Sequence, residues 1–272
     1  MCKGDGIVEA IKLVKKAMFK YGRRIKKKNI YNGQIMYLDS KDNGLHKNIY
    51  VDGIREENAL KYFLSSIKPS DNILDLGANI GFYVIQEAEI VNSVIGIEPS
   101  QRNFAFLELN TLVNNLDNVK NYNLAISKTN GLINFFEAKA GNLSAINRMN
   151  ESHEYTEIKA TSLNGKKFLE DYKLKCNVLR MDVEGAELEV LLSFKDRLND
   201  FDNIFLEVHE NYLKDKVHEL FCLLEKNGFN ELWYVPDEKS YDKFEKQIVT
   251  IEELKKMNRE EVYHLFCFKR WK

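Results

Sequence analysis

The chain has 272 residues, 44% hydrophobic and 30% charged, enough apolar material for one large domain that can exclude water from a buried site, and this excludes a disordered polymer. Its net charge of -1 conceals an asymmetry: residues 1–30 hold ten Lys/Arg against Asp5 and Glu9, a local +8, which leaves -9 on the remainder. Four scattered cysteines (Cys2, Cys176, Cys222, Cys267) make no CxxC pair, so neither a zinc knuckle nor a disulfide framework is expected and a cytoplasmic setting fits; no apolar run reaches the roughly 18 residues of a membrane span or forms an export segment.

In chain order, Ile7, Val8, Ile11, Val14 and Met18 recur at helical spacing with lysines opposite, which predicts an amphipathic helix ending in the basic tail RRIKKK. A solvated basic face is its simplest role; docking to anionic lipid or to a nucleic-acid backbone are the alternatives. IYNGQIMYLD and NIYVDG read as short strands joined by KDNG, and REENALKYFLSSI as a helix running into the turn KPSDN. Residues 1–68 are therefore expected to form an N-terminal helix and strand extension, and 69–272 the main domain. Within the latter, NILDL, SVIGIE, VKNYNLAI, NVLRMD, NIFLEVH, ELWYV and HLFCFKR are seven candidate strands, most of them separated by helical segments. Such alternation predicts an α/β fold, Rossmann-like, with a mostly parallel sheet and helices on both faces. GLINFFEA and LSAINRM are expected as short antiparallel strands, residues 141–157 as a polar loop able to cover a ligand, and residues 236–262 as an exposed loop and helix.

The stretch DLGANIGFY behind the first of these strands carries the strongest signal. In an open parallel sheet ligands collect beyond the carboxyl ends of the strands, and Gly77 and Gly81 let the chain bend there with bare backbone turned to a ligand. The GxxxG spacing is not the GxGxxG of a pyrophosphate loop, and Asp75 suits a ligand with an amino or sulfonium centre. Glu98, 21 residues after Gly77 at the end of SVIGIE, stands where an acid accepts from both hydroxyls of a ribose.

The blocks DLGANIGFY, IEPSQRNFAFLELNTLVNN, NLAISKTNG, LRMDVEGAELEVL and FLEVH, in this order, resemble the FkbM family of S-adenosylmethionine-dependent methyltransferases. The resemblance covers roughly residues 72–211, and DVEGAE is its most family-specific block. It implies a class I methyltransferase fold with a seven-stranded sheet, S-adenosylmethionine as cofactor, and methylation of an oxygen, commonly on a sugar or another small polyhydroxylated acceptor or glycan. On the matching positions it implies that Asp75, Gly77, Ala78, Asn79 and Gly81 form the loop near the methionine part, that Glu98 holds the ribose, and that Ala125 and Ile126 lie near the adenine. Asn103 and Asn110 match recurring asparagines. Asn164 and Gly165 stand where relatives often carry two acids, so a role of those acids is not carried over.

Transfer to a hydroxyl needs its proton removed, by a base or beside a divalent metal. Asp182 ends the fourth strand, and Glu207 and His209 end the fifth, two apart and so on one side. The first reading makes His209, neutral near pH 7, the base, oriented by Glu207 or Asp182. The second gives Asp182 and Glu207 to Mg²⁺, and the third lets all three only tie down loop ends. Asp182 is also expected to border the cofactor. Glu184 and Glu187, three apart on one expected helix face, are candidates to contact the acceptor or a metal or to cap that helix, with Arg180 as an ion-pair partner. His46, His153, His218 and His264 lack an evident ligand set. Two rival functions remain: a tRNA methyltransferase using the basic N-terminus, against which stand the acidic main domain and the absence of an NPPY motif, and a nucleoside-binding module without catalysis. The oligomeric state is not legible.

Overall fold

The computed structural model describes residues 24–138, 155–236 and 246–269. The amphipathic helix of residues 7–18, the strand LSAINRM and most of the covering loop lie outside the described residues.

The extension begins with β1 (Ile25–Asn29), paired antiparallel with β2 (Ile35–Asp39). Residues 25–28 of the basic tail thus lie in a strand, with Lys26 and Lys27 exposed. NIYVDG is not a strand but belongs to α1 (Leu45–Asp52), followed by α2 (Glu57–Ser66). Leu45 and Ile49, four apart, are buried on one face of α1, and Gly53 ends it in a left-handed conformation (φ 73°) with its N–H on the Ile49 carbonyl. Burial here overrides the β-propensity of Ile-Tyr-Val.

The main domain runs β3 (Asn72–Leu76), α3 (Phe82–Ala88), β4 (Ser93–Ile97), α4 (Gln101–Val113), β5 (Val119–Tyr122), β6 (Ala125–Ser127), β7 (Gly131–Ala138), β8 (Tyr155–Asn164), α5 (Gly165–Asp171), β9 (Val178–Met181), α6 (Glu187–Phe194), β10 (Asn203–His209), α7 (Glu210–Leu213), α8 (Val217–Lys226), β11 (Glu231–Pro236), β12 (Gln247–Val249), α9 (Ile251–Lys256) and β13 (Val262–Phe268). The large sheet has the order β12-β11-β13-β10-β9-β3-β4-β5. Strands β10, β9, β3, β4 and β5 are mutually parallel, whereas β13 is antiparallel to both its neighbours. All seven expected strands contribute, and β12 adds an eighth at one edge.

VKNYNLAI splits in two: after Tyr122 the Asn123 side chain donates to the carbonyls of Glu98 and Pro99 (2.8 and 3.0 Å), and β6 leaves for a second sheet of order β6-β8-β7. Tyr155–Glu157, expected in a loop, belongs to β8, where Tyr155 and Thr156 pair with Ala138 and Glu137.

Side chains alternate across the large sheet as a doubly covered sheet requires. Ile73, Val94, Val178 and Phe205 enter one core with Leu38, Ile49, Leu60 and Phe63 of the extension; Leu74, Ile95, Leu179 and Leu206 enter the other beneath α5, α6, α8 and α9. The extension therefore packs on the sheet itself. Asn110 and Asn114 of α4 fasten β2 to it: Asn110 accepts from the Tyr37 N–H (2.7 Å), and Asn114 exchanges two bonds with the Ile35 backbone (2.9 and 2.7 Å).

Candidate active site

At the tip of β3 the chain turns because nothing larger than glycine fits. Gly77 is left-handed (φ 80°), and a Cβ there would lie 1.8 Å from the Asp182 carbonyl oxygen. The tips of β3 and β9 are drawn that close by the Asp182 N–H on the Leu76 carbonyl (3.0 Å), while the N–H groups of Gly77 and Ala78 both donate to Ile97 (3.0 Å each). Gly81 (φ 90°) precedes α3 and abuts Leu107, where a Cβ would stand 2.9 Å from Cδ1.

This bend floors an open crevice bounded by the tips of β3, β4, β6 and β9 and by β7. Of the residues singled out in the sequence for the cofactor, Gly77, Asn79, Glu98, Asn103, Ala125, Ile126 and Asp182 line it. Phe135, Pro99, Ile97 and Val183 complete its apolar wall, with Phe135 supplied by the second sheet. Glu98 is fixed from both sides: Oε2 accepts from the Asn79 N–H (2.9 Å) and Oε1 from the Ser100 N–H (2.8 Å). Burial pushes its carboxyl up to about 8 against those two donors. Asn79 adopts φ 52° to deliver its N–H.

Three expected cofactor residues do not border the crevice. Asp75 is fully buried, and its Oδ1 accepts from Arg180 Nη1 (2.7 Å); that guanidinium lies 3.8 Å over the Tyr83 ring. Arg180 therefore pairs with Asp75 and not with Glu184 or Glu187. Ala78 packs toward Gly96 and Gly81 against α4. Asn110, which donates to the Ile80 carbonyl (2.8 Å), braces the bend from behind.

Beyond Asp182 the chain makes two successive left-handed residues, Glu184 (φ 50°) and Gly185 (φ 88°), before α6 begins at Glu187. Glu184 and Glu187 therefore do not share a helix face. They converge on His209 from two directions instead: Glu187 Oε1 meets Nδ1 at 2.8 Å and Glu184 Oε2 meets Nε2 at 3.1 Å. Glu187 Oε1 also accepts from the Gly185 N–H (2.9 Å), which locks the turn. Burial alone would lower the His209 pKa, but the two carboxylates overcome it and hold the ring well above its ordinary value, as imidazolium. The partners foreseen for this ring were Glu207 or Asp182; Glu207 Oε1 is 3.9 Å away. Glu207 is itself pushed well above the usual carboxylate range by burial and by the Asp182 and Glu56 carboxylates, and Glu184 is raised by burial.

A cation that the sequence did not announce completes the cluster. Arg55, in the turn between α1 and α2, bonds Glu56 and places Nη2 3.7 Å from Asp182 Oδ2 and 3.6 Å from Glu207 Oε2. Glu56 also accepts from Tyr83 Oη (2.8 Å) and lies 3.8 Å from Nε2 of His264, a histidine whose partners were not evident from the sequence.

The crevice can seat a nucleoside whose hydroxyls reach Glu98, with its reactive end toward the Asp182 and Glu184 carboxylates. The family model described as Methyltransferase FkbM domain matches residues 75–231. Methyltransferase 1 of Beauveria bassiana (strain ARSEF 2860) is 24% identical over 228 residues, covering 72% of this chain and 86% of its own length. Similar solved structures include Methyltransferase FkbM from Methylobacillus flagellatus KT (12% identity, TM-score 0.47, 74% of this chain and 44% of that one) and M. jannaschii TYW2 in complex with AdoMet (15%, 0.47, 91% and 87%). The family match spans more than half of the chain, from Asp75 at the glycine bend to Glu231 at the start of β11, and the protein is accordingly a methyltransferase that belongs to the FkbM family.

Proposed function

We propose that the protein is an S-adenosylmethionine-dependent O-methyltransferase acting on a hydroxyl of a sugar or a similar polyhydroxylated small acceptor. The observation that carries this is Glu98, held by two backbone N–H groups at the tip of β4 with the crevice before it. Its remaining lone pairs suit the paired hydroxyls of a ribose, and Ala125, Ile126 and Phe135 offer an apolar wall to a base. When bound, S-adenosylmethionine supplies an electrophilic methyl on a sulfonium centre.

The acceptor side is read from Asp182 and Glu184, the two carboxylates that both line the crevice and border the cluster. Glu184 is the base in this reading: the acceptor oxygen bonds the methyl carbon, the C–S pair stays on sulfur, and the hydroxyl proton passes to Glu184, whose raised pKa makes it a better acceptor than an ordinary carboxylate. His209, as imidazolium, positions Glu184 and is anchored by Glu187. His209 is not the neutral base in this reading, because carboxylates meet both of its ring nitrogens, Glu187 at Nδ1 and Glu184 at Nε2. Several carboxylates facing one reactive carbon suit an acceptor with adjacent hydroxyls, each of which can donate to them.

A direct test is to incubate cell extract with the enzyme and a labelled methyl donor and to identify the labelled product by mass spectrometry. A labelled hydroxyl on a small polyol or glycoside is the expected outcome; label confined to RNA would overturn it. The RNA reading has one observation in its favour, the exposed Lys26 and Lys27 on β1, and it demands steeply salt-dependent RNA binding. A cytoplasmic location is proposed on the free thiols of Cys176, Cys222 and Cys267; no helix among the described residues is long and apolar enough to cross a membrane.

A further inference from the structure

Two groups of side chains around the tips of β9 and β10 have the composition of a metal site: Asp182, Glu207 and His209, and Glu56, Glu207 and His264, each with ligand atoms within 4.8 Å of one another. Glu207 belongs to both, and the guanidinium of Arg55 faces carboxylates of both: Nε bonds Glu56, and Nη2 lies between Asp182 Oδ2 and Glu207 Oε2, 3.7 and 3.6 Å away. An ion taking Glu207 from either group would compete with that one guanidinium. Its side chain is only 16% exposed, which an arginine rarely accepts unless its charge is matched. The turn that carries it is held by more than packing. Glu56 is a non-glycine residue at φ 50°, a conformation that persists where surrounding contacts over-determine it. Tyr83 Oη, His264 and Arg55 itself supply those contacts on the Glu56 carboxylate.

We propose that Arg55 is the built-in counter-cation of the transfer site, delivered by the N-terminal extension to the place where acid-rich sites of this composition take a divalent metal, and that it positions Asp182 and Glu207 for the reaction. This rests on the reading of that cluster as the methyl-transfer end of the crevice. The chemistry explains the choice. Asp182 and Glu184 face the crevice with Glu207 directly behind Asp182, and the acceptor oxygen gains negative charge as its proton leaves. A guanidinium stays charged at every relevant pH and its planar fork serves two carboxylates at once. Arg55 does not line the crevice; it acts through Asp182, which does. The extension is then a functional part of the enzyme: the main domain's Arg180 lies 4.0 Å from Asp182 Oδ2 but is hydrogen-bonded to Asp75, whereas Arg55 is the cation placed between Asp182 and Glu207.

The experiment compares wild type with Arg55→Ala and Arg55→Lys, reading cofactor affinity by calorimetry and transfer of labelled methyl to the small-molecule fraction of a cell extract. Arg55→Ala is expected to slow transfer about 100-fold, the scale of one lost electrostatic contact in an active site, with affinity for S-adenosylmethionine within about threefold of wild type, since the nucleoside contacts are untouched. Guanidinium chloride should restore about tenfold of that loss where sodium chloride at equal ionic strength does not. Arg55→Lys keeps the charge without the fork and should fall between the two. Should Arg55→Ala fail to fold, Arg55→Lys with the same guanidinium comparison decides. A folded variant that guanidinium does not help, or a wild type inactivated by EDTA and restored by Mg²⁺, overturns the proposal. Failure of the wild type to bind S-adenosylmethionine overturns the reading of the site beneath it.

Discussion

The two ends of the crevice are built on opposite principles. The end proposed for the nucleoside, at the tips of β3, β4 and β6, is made of backbone and apolar side chains: a bend at Gly77, the Asn79 and Ser100 N–H groups, Ala125, Ile126, and one acid, Glu98. The end proposed for methyl transfer, which the crevice reaches through Asp182 and Glu184, is backed by charge: these two with Glu187 and Glu207 around His209 and Arg55. A receptor that offers shape and a few directed hydrogen bonds is assembled from residues close in sequence. A site that must balance buried charge draws its counter-ions from wherever the chain can bring them, because each unpaired ion would demand several kcal/mol of desolvation. Substitutions at the two ends should therefore fail in different ways.

The largest effect is expected at the transfer end. Glu184→Gln removes the proposed base while keeping a side chain that reaches His209, and should lower turnover about 10³-fold, within the 10²–10⁴ range of general base catalysis. Calorimetry should find cofactor affinity little changed. Affinity that drops as far as turnover would erase the distinction between the two ends. Gly77→Ala should act on the seam between them: a Cβ 1.8 Å from the Asp182 carbonyl oxygen, on a residue at φ 80°, forces the tips of β3 and β9 apart. A loss of about 3 kcal/mol in urea unfolding is expected, from backbone strain and steric displacement together. An unfolding midpoint within error of wild type would show that the bend tolerates a side chain.

At the nucleoside end, Glu98→Ala should weaken binding of S-adenosylmethionine or its demethylated product by more than about tenfold, or about 1.4 kcal/mol, with a smaller effect on turnover at saturation. Unchanged affinity would remove the ribose assignment, and with it the placement of the cofactor.

The same division explains what could be read before the fold was known. The alternating strands and the run from Asp75 to Gly81 are local patterns, and Glu98 follows from the spacing between one strand tip and the next. Asp75 does not border the crevice, and this was not legible, because sequence spacing places a residue on a strand but does not say whether an arginine 105 residues along the chain, Arg180 on the neighbouring strand, will claim it. His209 and Glu184 were found as chemistry-bearing residues, yet their pairing was not legible: it depends on Glu184 and Gly185 both turning left-handed, and only Gly185 carries a residue type that announces such a turn. Arg55 had no signal at all. It lies outside the stretch that resembles the family, in a turn between two helices, one of which reads as a strand by composition, and only the packing of the extension onto the sheet brings it to Asp182 and Glu207.

The smallest effect is a pH dependence, and it separates the two ends without a mutation in the transfer cluster. Burial raises the Glu98 carboxyl from 4.5 to about 8 in the ligand-free protein, and the ionised form is the one that accepts from two ribose hydroxyls. Cofactor affinity carried by Glu98 is therefore complete above about pH 8 and lost as pH falls through it, by about tenfold for each unit well below that value. The stability of the ligand-free protein runs the opposite way. A carboxyl with a raised folded pKa contributes stability that is present below 4.5 and is lost as pH rises through 8. Thermal shift by S-adenosylmethionine should accordingly grow between pH 6.5 and 9, and Glu98→Gln should flatten the growth by removing the share of both slopes that Glu98 carries. Any titration of the cofactor itself is common to both proteins, so the difference between the two profiles belongs to Glu98. A wild-type profile that parallels the Gln variant would mean that the carboxylate is ionised throughout, and that the two backbone N–H donors outweigh burial at this strand tip.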